Sequence, residues 1–374
     1  MTTLNAIFQR SGPAYRDQHG ASLTAHQRHI MALIEACRTE ALGGQVFTCP
    51  DCQTTRYSYH SCRNRHCPTC QQDAGETWLA DQQALLLPVP YFLVTFTVPA
   101  ELRQVARTNQ AQVYAAMFRA SAAALQQLAA DPRHLGGQLG MLGVLQTWTR
   151  DLRYHPHIHY LIPAVGRTTT GQLVFPPAVD FLLPVRPLAV LFRAKLRASL
   201  GQMPFAPTIP AAAWDHDWVI DCRPVGTGET ALKYLAPYIF RVALSNNRIL
   251  SADETQVTFR YRHRDSGENR TSTLPVNTFI DRFVAHILPK GFVKVRYYGL
   301  FRPGVRTDLR RIQAQLHLLR GQDLLGSVRS RPDPTARAEQ LATCPGCGAR
   351  MQRQRLARNP PRAPPQIANL PQPA

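Results

Sequence analysis

Residues 154–160 read YHPHIHY and place three histidines within five positions of a largely apolar run. On a β-strand, side chains two residues apart point to the same face, so His157 and His159 are predicted to lie about 6–7 Å apart on one face of a sheet. Such a pair can hold one divalent metal ion and leave coordination positions open for a substrate. Because Pro156 disturbs the start of the strand, we expect His155 to be dispensable. A hydrogen-bonded structural pair is the alternative for this pattern taken alone.

A second group that could do chemistry is a pair of tyrosines, Tyr234 and Tyr238, in the segment KYLAPYIFR. The spacing of four places them one turn apart on one face of a helix. A tyrosyl hydroxyl can attack a phosphodiester and form a covalent phosphotyrosine. Its ordinary pKa is near 10, so it needs a phosphate made more electrophilic by a bound metal. Paired tyrosines are more often core or groove aromatics, and it is their combination with the histidine pair that favours catalysis.

Two Cys-x2-Cys pairs lie close together in the segment CPDCQTTRYSYHSCRNRHCPTC, Cys49 with Cys52 and Cys67 with Cys70. Two such pairs separated by fourteen residues can converge on one tetrahedral zinc ion. We therefore predict a structural zinc site with these four thiolate ligands. A site with four cysteine ligands has no open position, so this zinc is not expected to be catalytic.

Further metal-ligating residues, His60, Cys62 and His66, lie between the two cysteine pairs and exceed what one zinc ion needs. They could complete a second zinc site together with Cys37 or His29. The alternative is that these side chains simply pack.

The bulk composition points to a nucleic acid as the partner. The chain has 374 residues, 44% of them hydrophobic, and a formal net charge of +19. This length allows two or three domains with a substantial core, and the charge favours a polyanion. Because the basic residues are spread along the chain rather than gathered on one amphipathic helix, nucleic acid is favoured over a membrane surface.

The sequence shows no secretory or membrane-spanning signal. The N-terminus lacks a charged start followed by an apolar run, and the most apolar stretch, ALLLPVPYFLVTFTVPA, is interrupted by Pro88, Pro90 and Pro99. We therefore expect a soluble, intracellular protein with no membrane partner. In a reducing compartment, clustered Cys-x2-Cys spacing indicates a metal site more often than disulfides.

The elements that must position these residues follow from the periodicity of the apolar residues. Helices are predicted at 22–42, 73–87, 109–131, 187–200 and from about Thr227 onward. Strands are predicted at 89–99, 140–149, 157–165 and 218–225, with a hairpin at 256–276. The two strands at 140–149 and 157–165 are joined by a link short enough for an antiparallel pair. The predicted fold class is α+β.

Together these motifs resemble the rolling-circle insertion-sequence transposases of the HUH endonuclease superfamily, specifically the two-tyrosine family named after insertion sequence ninety-one. The matching stretches, between residue 29 and about 315, are CRTEALGGQVFTCPDC, SCRNRHCPTCQ, LQTWTRDLRYHPHIHYLIP, KYLAPYIFRVALSNNRI and LPKGFVKVRYYGLF. The resemblance implies an HUH domain with a central antiparallel sheet flanked by helices, preceded by a small helical zinc-binding domain. It also implies a bacterial cytoplasmic protein associated with the nucleoid.

The chemistry implied by the resemblance is metal-dependent nicking of single-stranded DNA at transposon ends and target, leaving a 5′-phosphotyrosine and a free 3′-hydroxyl. His157 and His159 would hold Mg²⁺ or Mn²⁺, and Tyr234 and Tyr238 would be the two nucleophiles. Two tyrosines allow one to keep a cleaved end while the other attacks a second phosphate, which strand transfer requires.

A third polar metal ligand is usual in HUH enzymes; we expect Gln146 on the neighbouring predicted strand, with Asp151 as the alternative. Basic residues alternate with aromatic residues in VTFRYRHR, which on a strand would give a phosphate-tracking face over a packed side, or else a solvated basic face. The residues expected to contact DNA are Arg63, Arg65, Arg241, Arg260, Arg262, Arg264, Lys290, Lys294 and Arg296.

Three domains are expected. Residues 1–85 would form a zinc-binding, DNA-binding domain and residues 86–325 the two-tyrosine catalytic domain. Residues 326–374 would be a basic, Pro-rich and largely disordered tail. This tail contains Cys344-Pro-Gly-Cys347, half of a metal site, which is either closed by distant ligands or a vestige.

The function expected from these observations is that of a DNA transposase. A plasmid rolling-circle replication initiator or relaxase, with the same chemistry, is the nearest alternative. An alternative of another class is a non-catalytic, zinc-dependent DNA-binding regulator.

Overall fold

The computed structural model describes residues 3–240, 243–263, 266–320, 339 and 341–358; side chains at 71–77, 234, 236–238, 240 and 320 lie outside the description. The helices are α1 (Leu4–His19), α2 (Ala25–Ala36), α3 (Pro68–Gln83), α4 (Arg103–Thr108), α5 (Gln110–Ala130), α6 (Val185–Gly201), α7 (Gly228–Phe240), α8 (Val276–Val284) and α9 (Arg306–Arg320).

The longer strands are β1 (Gly44–Thr48), β2 (Thr55–Tyr59), β3 (Pro90–Thr97), β5 (Met141–Trp148), β6 (Tyr154–Pro163), β9 (Ile220–Thr227), β10 (Ile249–Ala252), β11 (Gln256–Arg262), β12 (Asn269–Pro275), β13 (Val295–Tyr298) and β14 (Gln352–Leu356). Three two-residue strands, β4 (Gln138–Leu139), β7 (Gly166–Arg167) and β8 (Leu173–Val174), form a small separate sheet.

The centre of the protein is a five-stranded antiparallel sheet in the order β13-β5-β6-β3-β9. One face packs against α5 and α6 through a large apolar core that includes Phe96, Ile158 and Phe192. The other face packs against α7 and α9 through a second core that includes Leu161 and Leu235. Because helices cover both faces, the central strand β6 is apolar on both sides. The α+β class and the central antiparallel sheet flanked by helices are confirmed.

The N-terminal helices share their core with a part of the chain that lies far away in sequence. Helices α1 and α2 pack against α8 and against the three-stranded sheet β10-β11-β12. The rings of Phe8 and Phe283 meet edge to face, with 5.2 Å between their centroids. Residues 243–287 therefore pack with the N-terminal helices, although a boundary at residue 85 would place them in a different domain.

The C-terminal segment around Cys344 is not a loose tail, which corrects the expectation for this part of the chain. Strand β14 pairs antiparallel with β1, and β1 also pairs with β2. A small core of Phe47, Cys49, Cys344 and Met351 lies beside this three-stranded ribbon. Residues 359–374, the Pro-rich end of the predicted tail, lie outside the described residues.

Most helices and strands predicted from periodicity are present, and the exceptions have local causes. Helix α2 begins after Thr24, whose hydroxyl accepts from the backbone N–H of Gln27 in a capping box, and not at Ser22. The hydroxyl of Ser22 instead donates to the carbonyl of His19. Helix α1 was not predicted. Within the described residues, no helix combines the length and apolar character that a membrane span needs.

Gly299 provides a test of this fold, because it follows β13 directly and admits no larger residue. Its backbone has φ +55°, and a Cβ there would lie 1.8 Å from the backbone oxygen of Leu139. We predict that Gly299→Ala lowers the free energy of unfolding by about 2–4 kcal/mol, because a left-handed conformation and an overpacked contact each cost about 1–3 kcal/mol. Gly304→Ala is the control, since nothing lies within 4 Å of a Cβ at that position. Equal urea midpoints for the two variants would contradict this account.

Candidate active site and metal centres

The two histidines of the central strand lie on the face of the sheet that α7 covers. His157 is paired with Gln146 of β5, and His159 is paired with Thr95 of β3. Both imidazoles are 8% exposed. Their ring centroids are 4.8 Å apart and the rings are nearly perpendicular. The structure therefore brings His157, His159 and Gln146 together as the sequence predicts.

Hydrogen bonds fix which atoms of this cluster face each other. The Nδ1 of His157 lies 2.7 Å from the carbonyl oxygen of His155. A carbonyl can only accept, so Nδ1 carries the proton and Nε2 keeps its lone pair. The amide nitrogen of Gln146 donates to the carbonyl of Trp148 at 3.0 Å, which leaves its oxygen 3.2 Å from Nε2 of His159. Imidazole nitrogens and amide oxygens are both chemically suited to bind a divalent metal ion.

His159 is held on its other side by Thr95, whose hydroxyl lies 3.0 Å from Nδ1. A partner on the second ring nitrogen is typical of metal-ligating histidines, because it orients the ring and sets the tautomer. Burial lowers the pKa of His159 to about 4, with Arg223 contributing in the same direction. The imidazole is therefore neutral near pH 7, as a metal ligand must be.

The alternative third ligand, Asp151, is engaged elsewhere. Its carboxylate accepts from the hydroxyl of Thr149 and from Nε of Arg153 at 2.6 Å, in the turn between β5 and β6. These contacts account for the lowered pKa of its carboxyl group, which burial opposes.

Helix α7 carries both tyrosines over the histidine face of the sheet. Ala231, Leu232 and Leu235 of this helix are buried in the core against that face. Positions 234 and 238 are one turn apart, and the helix continues through Pro237 to Phe240. The side chains of Tyr234 and Tyr238 lie outside the described part of the structure.

A partly buried lysine ties the end of α7 to the sheet. Nζ of Lys294 donates to the carbonyl of Ile239 at 3.1 Å and lies 4.8 Å from the centroid of the Trp148 ring. Burial, with Arg65 nearby, lowers the pKa of Lys294 to about 7. Lys294 therefore connects α7 to the strand that holds Gln146, and this is a structural contact rather than an exposed DNA contact.

The other basic residues predicted to bind DNA divide into anchored and exposed side chains. The guanidinium of Arg65 donates to the carbonyls of Pro289 and Phe292, and Arg296 lies over the ring of Phe118 at 4.3 Å. On β11, Val257 and Phe259 are buried, whereas Arg260 and Arg262, which follow them on the opposite face, are exposed, as the alternation predicts. The exposed members of the set are Arg63, Arg260, Arg262 and Lys290. Arg241 and Arg264 lie outside the described residues.

An open cleft separates the N-terminal domain from the loop after α8. His26, Asn64 and Arg65 line it on one side, and Lys290 lines it on the other. The cleft extends to Ile239, near the C-terminal end of α7. A basic channel therefore leads from the N-terminal domain to the helix that carries the tyrosines.

The predicted zinc site of Cys49, Cys52, Cys67 and Cys70 is wrong in its grouping. Cys67 and Cys70 lie at the start of α3 and meet Cys37 and Cys62 instead. In this first cluster the Sγ–Sγ distances are 3.5 Å for Cys37–Cys70 and for Cys62–Cys70, and 3.6 Å for Cys37–Cys67. The buried amide of Asn5 lies 3.7 Å from Sγ of Cys67.

Cys49 and Cys52 belong to a second cluster that contains the C-terminal pair, Cys344 and Cys347. In both clusters all four ligand atoms lie within 4.8 Å of one another. Of the residues proposed for a second zinc, Cys62 joins the first cluster, but His60 and His66 join neither.

The sequence indicates the observed grouping of the cysteines only in part. The sequence offers Cys37 as a ligand together with His60, Cys62 and His66, and the structure brings it to Cys62 but to neither histidine. The Cys344-x2-Cys347 pair has the spacing of a complete half-site, yet 298 residues separate Cys49 from Cys347, so local spacing could not indicate its partner. Thr95 gave no signal in the sequence, because its role depends on the pairing of β3 with β6.

Comparisons with known proteins agree with this arrangement. Residues 140–308 match the family model described as “Putative transposase”, and residues 7–98 match the model described as “Transposase zinc-binding domain”. The chain is 38% identical to “Putative transposase y4qJ” of Sinorhizobium fredii over 375 residues, which cover 91% of this chain and 92% of the relative. It is 27% identical to “Transposase for insertion sequence element IS801” of Pseudomonas savastanoi pv. phaseolicola over 281 residues, 71% of this chain and 67% of the relative. No solved structure matches.

Buried histidines around the site predict a loss of stability in acid. Burial lowers the pKa of His66 to about 3 and those of His159 and His286 to about 4. The unfolded chain, with histidine pKa values near 6.5, binds more protons than the folded chain between about pH 6.5 and pH 4, so stability falls as the pH falls through this window. Replacing His286 by Gln should reduce the stability lost between pH 7.5 and pH 5 by about 1–2 kcal/mol. Urea unfolding at both pH values measures the difference, and an unchanged pH dependence in the variant would contradict the assignment.

Proposed function

The chain belongs to the IS91 family of transposases with an N-terminal zinc-binding domain, and from this premise we propose that it nicks and rejoins single-stranded DNA through 5′-phosphotyrosine intermediates. The observation that carries the proposal is the cluster of His157, His159 and Gln146 on the sheet face covered by α7, the helix that carries Tyr234 and Tyr238.

The cluster fits a divalent metal ion. The ligand atoms would be Nε2 of His157, Nε2 of His159 and the side-chain oxygen of Gln146, which lies 3.2 Å from Nε2 of His159. The carbonyl of His155 holds Nδ1 of His157, and Thr95 orients His159, whose burial keeps it neutral near pH 7. These residues would hold Mg²⁺ or Mn²⁺, which when bound would polarise a scissile phosphate. Two imidazoles and one amide oxygen suit Mn²⁺ better than Mg²⁺, because Mg²⁺ prefers oxygen ligands.

The proposed cleavage is a balanced transesterification. The hydroxyl oxygen of Tyr234 or Tyr238 forms a bond to phosphorus, the bond from phosphorus to the 3′-oxygen breaks, and the tyrosyl proton is transferred to the released 3′-oxygen. In rejoining, a 3′-hydroxyl attacks the phosphotyrosine and the tyrosine regains its proton. A second tyrosine one turn away can act on another strand while the first remains linked, which supports strand transfer at element ends and target.

The single strand would lie along the exposed basic residues. Lys290 lines the open cleft that leads towards the end of α7, and Arg260 and Arg262 project from the outer face of β11. Phosphate contacts of this kind supply affinity without reading the sequence.

The structural zinc of the N-terminal domain is assigned to Cys37, Cys62, Cys67 and Cys70. All four lie inside the matched zinc-binding domain, and their sulfur atoms have the mutual separations of ligands around one ion. This zinc would fix the start of α3 against the end of α2. In the folded state it therefore has a structural role, since four thiolates leave no open position.

Transposition is favoured over the use of the same chemistry in a plasmid replication initiator or relaxase, because both relatives are named as transposases. A non-catalytic DNA-binding regulator would form no covalent protein–DNA adduct, so detection of an adduct distinguishes the proposed transposase from a regulator.

Covalent capture tests the nucleophiles. Labelled single-stranded DNA carrying an element end, incubated with the full chain and Mn²⁺, is expected to give a protein–DNA adduct that survives denaturing electrophoresis. The Tyr234→Phe, Tyr238→Phe double variant should lower adduct formation by about a thousandfold or more, because the attacking oxygens are removed. Tyr57→Phe, at an exposed tyrosine of β2, is the control and should match the unaltered protein. An adduct that persists in the double variant would refute the choice of nucleophiles.

Metal binding tests the cluster. His157→Ala and Gln146→Leu should weaken Mn²⁺ binding and slow nicking by about 100-fold or more. Thr95 only orients His159, so Thr95→Val should reduce Mn²⁺ affinity and the nicking rate by about tenfold. His155→Ala should retain Mn²⁺ affinity, because Nδ1 of His157 is held by the backbone carbonyl of residue 155, which the substitution leaves in place. Mn²⁺ titration followed by electron paramagnetic resonance measures the affinity independently of nicking. Loss of Mn²⁺ binding in His155→Ala alone would contradict the assignment.

A further inference from the structure

The second cysteine cluster joins two ends of the chain. Cys49 and Cys52 lie between β1 and β2, and Cys344 and Cys347 lie just before β14. The match to the zinc-binding domain ends at residue 98 and so contains only half of this cluster. We propose that these four cysteines form a second structural zinc site, which fastens the C-terminal segment onto the N-terminal domain.

The sulfur positions suit a tetrahedral ion and not disulfides. The Sγ–Sγ distances are 3.4 Å for Cys49–Cys347 and 3.5 Å for Cys52–Cys344, and all four sulfur atoms lie within 4.8 Å of one another. Four thiolates about 2.3 Å from a central zinc ion lie about 3.8 Å apart, whereas a disulfide brings its sulfurs to about 2.05 Å. All four cysteines are free thiols.

The two cysteine pairs have the same local backbone. In the first, the N–H of Cys49 donates to the carbonyl of Thr54, and the N–H of Gln53 donates to the carbonyl of Cys49. In the second, the N–H of Cys344 donates to the carbonyl of Ala349, and the N–H of Gly348 donates to the carbonyl of Cys344. The residue after each pair has a positive φ, 59° at Gln53 and 77° at Gly348. Two equivalent turns that face each other are the arrangement by which Cys-x2-Cys pairs share one ion.

The surrounding core is too small to hold this segment by apolar contacts alone. Its buried members are Phe47, Cys49, Cys344 and Met351, and a core of this size usually requires a metal or disulfides for stability. Cys49 and Cys344 are almost fully buried, whereas Cys52 and Cys347 are exposed. Buried thiolates require a compensating positive charge, which a zinc ion supplies.

The site also determines where the basic residues of β14 lie. Phe47 of β1 is paired with Arg353 on one side and with Arg56 of β2 on the other, so these two arginines share a face of the ribbon. Arg355, two residues further along β14, lies on the same face. Zinc binding therefore assembles a basic face from both ends of the chain.

Metal analysis of the purified full chain tests the proposal. The unaltered protein is expected to contain two zinc ions per chain, and the Cys344→Ser, Cys347→Ser variant should contain one. Cys49→Ser, Cys52→Ser should also contain one, and combining all four substitutions should remove no further zinc. Cys222→Ser is the matched control: its cysteine lies on β9, outside both clusters, and it should retain two. Two zinc ions in the Cys344→Ser, Cys347→Ser variant, or iron in place of zinc in the unaltered chain, would overturn the proposal.

Two further measurements remain informative if a variant fails to fold. In the unaltered chain, the exposed thiols of Cys52 and Cys347 should resist alkylation until a chelator removes the metal, and they should then react together with Cys49 and Cys344. Rapid alkylation of Cys52 and Cys347 with two zinc ions still bound would overturn the proposal. Cysteines that resist alkylation after chelation and react only after reduction would also overturn it, because that behaviour indicates disulfides. Hydrogen exchange at residues 44–48 and 352–356 should accelerate at least about tenfold on chelation, because the anchoring of β14 is lost. These readouts do not involve nicking, so their outcome is independent of the proposed activity.

Discussion

The central sheet is covered by helices on both faces, and this burial constrains every polar side chain on its middle strands. An imidazole on β6 loses its hydration and must recover it through hydrogen bonds. His157 does so through a backbone carbonyl, and His159 through Thr95 and Gln146. The partners that make burial tolerable also fix the tautomer of His157 and the orientation of the glutamine amide. The requirement that buried polar groups be satisfied therefore arranges the side chains that we propose as metal ligands.

The same sheet places the tyrosine helix. Apolar residues on one side of α7 pack onto Leu142, Val144 and Leu161, which lie on the same face as the two histidines. The lysine bond from Lys294 to Ile239 holds the C-terminal end of this helix against the edge strand β13. Core packing thus sets where residues 234 and 238 lie relative to the cluster of His157, His159 and Gln146. The proposed chemistry therefore depends on apolar contacts made by other residues of α7.

The N-terminal domain is held by contacts that are remote in sequence. Its helices share a core with residues 243–287, and its β-ribbon is completed by β14 from the C-terminal segment. The first cysteine cluster is local to this domain, whereas the second combines cysteines from both ends of the chain. A cross-link restricts the unfolded chain most when it closes a long loop. The zinc ion proposed for the second cluster would close a loop that spans most of the chain, so it would stabilise the molecule more than the local spacing of its cysteines suggests.

The sequence by itself determined the secondary structure around the central sheet, because the apolar runs of β5 and β6 and the helical spacing of α5 and α7 are local patterns. It also predicted that His157, His159 and Gln146 are neighbours, since a short hairpin fixes the pairing of its two strands. Only the tertiary structure decided which cysteines meet, because eight chemically equivalent thiols can be divided into two groups of four in many ways and spacing describes the chain only over short separations. It likewise decided that Thr95 supports His159 and that Lys294 and Arg65 are anchored by hydrogen bonds to backbone carbonyls. Contacts between residues far apart in sequence depend on how the elements pack, and no local pattern encodes them.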